Sequence, residues 1–125
     1  MAHGNYGPRV PLENGNHAFT SMTDDNIFLH SAEGEIMNID RAHAGAIIQM
    51  IPMDNQQTLA TGGLDGTVRL WSIPHGEPLF TLRSKPGVGV YTMKAFDDET
   101  LLVGHEDGTI RLYQGMPKTE QPPTK

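Results

Sequence analysis

Cysteine is absent from the 125 residues. Its absence removes disulfides, iron–sulfur clusters, thiolate zinc sites and cysteine nucleophiles together. Cationic residues are scarce as well: nine Lys+Arg stand against fifteen Asp+Glu, for a formal charge of −6 with the six His neutral. Only Arg83 and Lys85 lie close together, so the chain lacks the clustered charge that a nucleic-acid or anionic-membrane surface requires. No apolar run approaches the ~20 residues of a membrane helix. The opening Met-Ala-His-Gly-Asn-Tyr-Gly-Pro has neither a basic start nor an apolar core, and no Asn-x-Ser/Thr sequon occurs. The expectation is an intracellular protein, cytoplasmic or nuclear, with no nucleic-acid and no membrane partner.

What the chain does have is breakers: fourteen Gly and nine Pro, which leave little room for long helices. The length fits one domain or less than one. Residues 1–16, rich in Gly, Pro and Asn, read as a flexible N-terminal arm, and 114–125 as a disordered C-terminal tail. Between them, apolar runs of a few residues alternate with Gly/Asp/Asn turns, the pattern of successive strands and hairpins. The expected strands are 18–22, 26–30, 35–39, 46–51, 58–61, 67–72, 79–82, 88–94, 100–103 and 109–113. No stretch holds a 3.6-residue period over three turns. The fold class is all-β.

The strands repeat. Asp65-Gly66-Thr67-Val68-Arg69-Leu70-Trp71 recurs as Asp107-Gly108-Thr109-Ile110-Arg111-Leu112-Tyr113, with a weaker copy at Glu33-Gly34-Glu35-Ile36-Met37-Asn38-Ile39. The shared glycines lie 32 and 42 residues apart. Asp-Gly between apolar strands is a strong hairpin signal: Gly66 and Gly108 supply a positive φ, while Asp65 and Asp107 accept N–H bonds within the turn.

Ala42-His43, followed by Ile47-x-x-Met50 and then Leu59-Ala60-Thr61-Gly62-Gly63-Leu64-Asp65-Gly66-Thr67-Val68-Arg69-Leu70-Trp71, resembles a WD-repeat β-propeller. The resemblance covers about residues 17–113, as repeats near 17–40, 41–73 and 78–113. It implies three blades of antiparallel strands, a partial propeller or half-ring. It also implies a structural hydrogen-bond network in the middle blade: His43 before strand a, Thr61 in strand b, Asp65 in the turn and Trp71 in strand c. In the third repeat Val103 and Tyr113 stand where Thr61 and Trp71 do, with no His before strand a, so that blade is expected to rely on packing. In the first repeat Leu29, Glu33 and Ile39 occupy those places. Only seven residues separate Ile39 from Ile47, so blade one is expected to lack its outer strand. After Tyr113, Pro117, Pro122 and Pro123 cannot donate to a ladder.

Three blades do not close a ring of the usual four to eight. The readings, in order of preference, are a fragment or shortened form of a larger propeller, a pair of copies closing a six-blade ring, and an open stack. By resemblance, partners dock on the face ringed by the d–a and b–c loops, where Ala32, Leu64 and Glu106 precede the turn acid and Ala44-Gly45 follow His43. An apolar Leu64 beside Glu106 suits a peptide with an apolar anchor and a basic residue.

Catalytic and metal readings find less support. His43 with Asp65 has the spacing of the repeat's own network, and His105-Glu106-Asp107 alternate between the two faces of a strand. Ser31 lacks a Gly-x-Ser-x-Gly turn, and the paired glycines lack a strand-to-helix setting for phosphate. The expected function is a non-catalytic protein-interaction scaffold or adaptor with a protein or peptide partner, without metal or cofactor. The alternatives are a structural subunit that completes a propeller with itself or a partner, and a hydrolase-type propeller. The last would need inward polar groups where these repeats carry Gly62 and Gly104.

Overall fold

The computed structural model describes residues 6–12, 15–21, 26–31, 33–39, 42–53, 57–73, 75–97 and 99–114, with the backbone alone at 6–8, 21, 36 and 37. Among the described residues eleven strands follow in chain order: β1 (Tyr6–Pro11), β2 (His17–Ser21), β3 (Ile27–Ser31), β4 (Gly34–Ile39), β5 (Ile47–Met53), β6 (Thr58–Gly63), β7 (Val68–Ser72), β8 (Pro78–Leu82), β9 (Val90–Asp97), β10 (Thr100–His105) and β11 (Ile110–Tyr113). They form three antiparallel sheets, ordered β1-β2-β3-β4, β5-β6-β7-β8 and β9-β10-β11. The sheets stack with β1 against β5, and with β5 and β6 against β9.

Two apolar seams hold the stack. Ala18, Ile27 and Leu29 of the first sheet meet Ile47, Met50, Leu59 and Trp71 of the second, with Ala42 from the segment between. Met53, Ala60, Val68 and Leu70 of the second sheet meet Val90, Met93, Leu101 and Val103 of the third. Alternate residues of one strand therefore serve opposite seams: Leu59 faces the first sheet and Ala60 the third. That is why β6 is buried along its whole length. Each aliphatic side chain removed from water in these seams contributes about 1.5–3 kcal/mol.

Two expectations for the N-terminal part are corrected. Residues 6–11 are a strand, not a loose arm: β1 pairs with β2 as Arg9↔Phe19, Val10↔Ala18 and Pro11↔His17. Gly7 and Pro8 disguised it, yet both lie in the register shift between Tyr6 and Arg9 of a strand with one ladder neighbour, where a missing N–H is tolerated. Blade one, moreover, is not trimmed. Its strands a to d are β1 to β4, so Gly34–Ile39 is the outer strand and residues 42–46 lead into the next sheet. Glu33-Gly34 thus occupies the β3–β4 turn, one strand later than Asp65-Gly66 between β6 and β7, and the first repeat begins near residue 6 rather than 17. Residues 1–5 and 115–125 lie outside the described residues, as does most of the expected tail.

Candidate functional site

The second sheet carries a buried polar chain. Trp71 Nε1–H donates to Thr61 Oγ1 at 2.9 Å, and Thr61 Oγ1 lies 2.7 Å from His43 Nε2. His43 Nδ1 faces Asp65 Oδ1 at 3.1 Å. A carboxylate only accepts, so Nδ1 carries the proton. Asp65 also receives the Ala44 N–H at 3.0 Å, the Thr67 N–H at 3.1 Å and the Thr67 hydroxyl at 2.8 Å. Gly63 makes the room, because a methyl there would fall 2.7 Å from His43 Nδ1. Buried groups of this kind must be fully paired, and among the described residues no buried side-chain N or O lacks a partner.

Partial burial of Asp65 acts to raise its pKa, but the bonds from His43, Ala44 and Thr67 outweigh it and hold the carboxyl well below the usual range. An unfolded Asp titrates near 4. The stabilisation from ionised Asp65 is therefore complete above about pH 4 and lost as pH falls toward the folded-state value. Asp65→Asn should lower the melting temperature at neutral pH and flatten its decline on acidification. Parallel melting curves of both proteins from neutral to acid pH check this, and parallel declines would show that Asp65 does not carry the effect.

The third sheet has polar contacts of its own, contrary to the expectation of packing alone. Lys85 stands 42 residues after His43, and its Nζ donates to Asp107 and to Thr109 Oγ1, the counterparts of Asp65 and Thr67. Tyr113, the counterpart of Trp71, donates its hydroxyl to Ser84 Oγ at 2.9 Å. Ser84 Oγ lies 2.7 Å from His105 Nε2, and His105 Nδ1 lies 2.7 Å from the Val88 carbonyl. His105 replaces Gly63, so its imidazole comes from strand b rather than from the preceding loop. The sequence signal was a His at the position where the middle repeat keeps a Gly for a ring. Both ring nitrogens of His105 are taken, which leaves neither free to bind a metal.

Above these networks the crossing segments and β-turns of sheets two and three are knitted into one rim. Leu64 N–H donates to the Ala46 carbonyl at 2.9 Å, Lys85 N–H to Gly66 at 3.0 Å, Gly87 N–H to Asp65 at 3.1 Å and Glu106 N–H to Gly89 at 2.9 Å. Leu64 is 42 % exposed on this rim, and Glu106, Ala44 and Gly45 are exposed beside it. Leu64 and Glu106 converge over Gly89, where a methyl would fall 3.0 Å from Leu64 Cδ2 and 2.9 Å from Glu106 Cδ. Asp107 and Gly108 form the exposed turn next to them, with Asp107 Oδ1 accepting the Thr109 N–H at 2.9 Å. Ala32 lies outside the described residues.

Comparison with known proteins places this geometry in a family. The model of the WD domain, G-beta repeat, matches residues 34–72 and 76–114, together more than half of the chain. Each match runs from an outer strand through the next three, the strand order found in the sheets. The ubiquitin homeostasis protein lub1 of Schizosaccharomyces pombe is 25 % identical over 96 residues, covering 76 % of this chain and 13 % of its own. COMPASS component SWD3 of Saccharomyces cerevisiae is 28 % identical over 123 residues, covering 88 % and 39 %. The crystal structure of the RRP9 WD40 repeats superposes with a TM-score of 0.78 at 16 % identity, over 91 % of this chain and 37 % of that one. The chain thus spans well under half the length of each.

Proposed function

Given that the chain belongs to the WD-repeat family, we propose that it is a non-catalytic interaction module, a scaffold or adaptor that docks a peptide or protein segment on the rim of residues 44–46, 64–67, 85–89 and 106–109. The observation that carries this is the convergence of Leu64 and Glu106 over Gly89, an apolar anchor and a carboxylate held on a hydrogen-bonded backbone. The docked segment carries one apolar and one basic side chain, spaced to reach both. No cofactor or metal enters, and the place of action is intracellular, cytoplasmic or nuclear. By name SWD3 is a component of a complex, which supports a subunit role.

A short-peptide display library panned on the full chain tests the rim. Peptides pairing an apolar residue with Lys or Arg should be enriched. Glu106→Lys and Leu64→Asp should each weaken their binding at least tenfold, about 1.4 kcal/mol, with little change in melting temperature, because both side chains are exposed. Enriched peptides that bind both variants as well as the parent would sink the rim as the docking surface.

The chain's 37–39 % share of SWD3 and of the RRP9 chain supports reading it as a shortened form of a longer propeller.

A further inference from the structure

The docking rim contains three carboxylates, Asp65, Glu106 and Asp107, and a single cation, Lys85. Two of the three carboxylates are already occupied by the chain itself. Asp65 is enclosed by His43 and by the N–H groups of Ala44 and Thr67, and the Arg69 guanidinium just below the rim stands 3.9 Å from it. Asp107 is taken as well: the Lys85 ammonium donates to Oδ2, and the Thr109 N–H reaches Oδ1 at 2.9 Å. These bonds, the one from Lys85 foremost, hold the Asp107 carboxyl well below the usual range. Glu106 differs. It is exposed, and its carboxyl has neither an ion pair nor a hydrogen bond among the described residues.

The backbone, rather than Asp107, aims the Lys85 side chain. Its N–H donates to the Gly66 carbonyl at 3.0 Å, and its own carbonyl accepts the Val88 N–H at 3.0 Å. Pro86 and Gly87 form the turn between, with Gly87 at a φ of +86° and its N–H on the Asp65 carbonyl at 3.1 Å. Loss of the ammonium charge therefore leaves segment 85–89 in place. Asp107 stays in place too, because Thr109 holds Oδ1 from within the turn. What changes is Oδ2, which loses its cation. The carboxyls of Glu106 and Asp107 face the same segment, one over Gly89 and the other at Lys85. The pair bridges the second and third sheets, and the Lys85 and Asp107 side chains are 33 % and 40 % exposed, so a ligand cation can reach it. Arg83 and Arg111, exposed and two residues from Lys85 and Thr109, keep their charge whatever happens at Lys85.

We infer that Lys85 sets the charge specificity of the rim: it occupies Asp107, so a docked segment is read by Glu106 alone through one basic side chain, and loss of the Lys85 charge makes Glu106 and Asp107 a site for two adjacent basic side chains. This rests on the docking reading above and adds the number of basic groups selected. A second ligand cation must compete with an ammonium tethered beside its target, and the ion pair it gains is one the chain loses. Without that ammonium it meets an unpaired, oriented carboxylate.

Calorimetric titration of the full chain with two peptides tests the role of Lys85. The probes are a peptide enriched on the rim with an apolar residue and one Lys, and the same peptide with the residue beside that Lys changed to Gln or to Lys. The parent should bind the Gln and two-Lys forms within about twofold of each other, whereas Lys85→Met should favour the two-Lys form at least about fivefold, with a steeper loss on adding salt. Lys85→Arg should keep the parent's indifference, since a guanidinium still occupies Asp107. Adding Asp107→Asn to Lys85→Met should erase the preference, an outcome that a merely structural loss at residue 85 would not produce. Melting temperatures should stay near the parent's, because the ion pair is exposed. A parent that already favours the two-Lys form as strongly overturns the proposal, as does Lys85→Met without a preference, or a preference that survives Asp107→Asn. Glu106→Lys keeps the two readings apart. If it leaves binding of the one-Lys peptide intact, or if no peptide is enriched, the docking rim fails and the role of Lys85 with it. If it weakens that binding while Lys85→Met shows no preference, the role of Lys85 alone fails.

Discussion

Trp71→Ala is expected to lower the unfolding free energy by about 3–5 kcal/mol, a large share of what a domain of this size possesses. Two effects combine. The indole is 6 % exposed within the seam between the first and second sheets, so truncation leaves a cavity that the strands on either side cannot fill. It also removes the N–H that Thr61 Oγ1 accepts at 2.9 Å, in a chain where each group holds the next in place as far as Asp65. Trp71→Phe separates the two effects: most of the volume stays, the donor goes, and the loss should shrink to about 1–2 kcal/mol. Urea titration of both variants gives the comparison. A loss below about 1 kcal/mol for Trp71→Ala would mean that the indole does not hold the first seam together.

The second sheet was the most legible part of the molecule, because its chemistry is local to one repeat. Gly66 follows Asp65 in a turn, Thr61 and Trp71 are opposite in sense but near in register, and His43 precedes the inner strand. The first sheet was misread for the same reason that the second was clear. Edge strands need fewer ladder bonds, so β1 could carry Gly7 and Pro8, and composition hid it. With the inner strand missed, every later strand of that sheet was assigned one place too far inward, and Gly34–Ile39 was aligned with β7 instead of being recognised as an outer strand. The short interval between Ile39 and Ile47 was the available clue, since an outer strand needs only a crossing loop before the next sheet.

The third sheet shows why position-by-position comparison of repeats understates a network. Losing the His before β9 and the Thr in β10 looks like loss of the chain as a whole. Instead the imidazole moved to the Gly63 position as His105, a hydroxyl moved to Ser84, and Lys85 took over the acidic turn at Asp107. What the fold conserves is the set of buried donors and acceptors to be paired between the crossing segment, strand b and strand c. Several residue arrangements meet that condition. Only their spatial proximity reveals it, and proximity between residues 84 and 105 is not written in either one.

The two turn glycines give the second large effect because they share a conformation and differ in their surroundings. Gly66 and Gly108 have φ of +82° and +91°, so Ala at either site incurs the left-handed penalty of about 1–2 kcal/mol. At Gly108 a methyl group would meet nothing within 4 Å; at Gly66 it would overlap the Lys85 carbonyl and crowd that of Val88. Gly66 also accepts the Lys85 N–H at 3.0 Å, which ties the turn of the second sheet to the segment entering the third. Gly66→Ala is therefore expected to cost about 3 kcal/mol or more, and Gly108→Ala about 1 kcal/mol, both read from urea midpoints. Equal losses would show that φ alone decides, and that the two backbones do not touch closely enough to matter. With the expected asymmetry, Gly66→Ala should also loosen the third sheet from the second, carrying Glu106 away from Leu64. One methyl group at a turn would then disable the docking rim, because the rim depends on the third sheet being held at a fixed angle to the second.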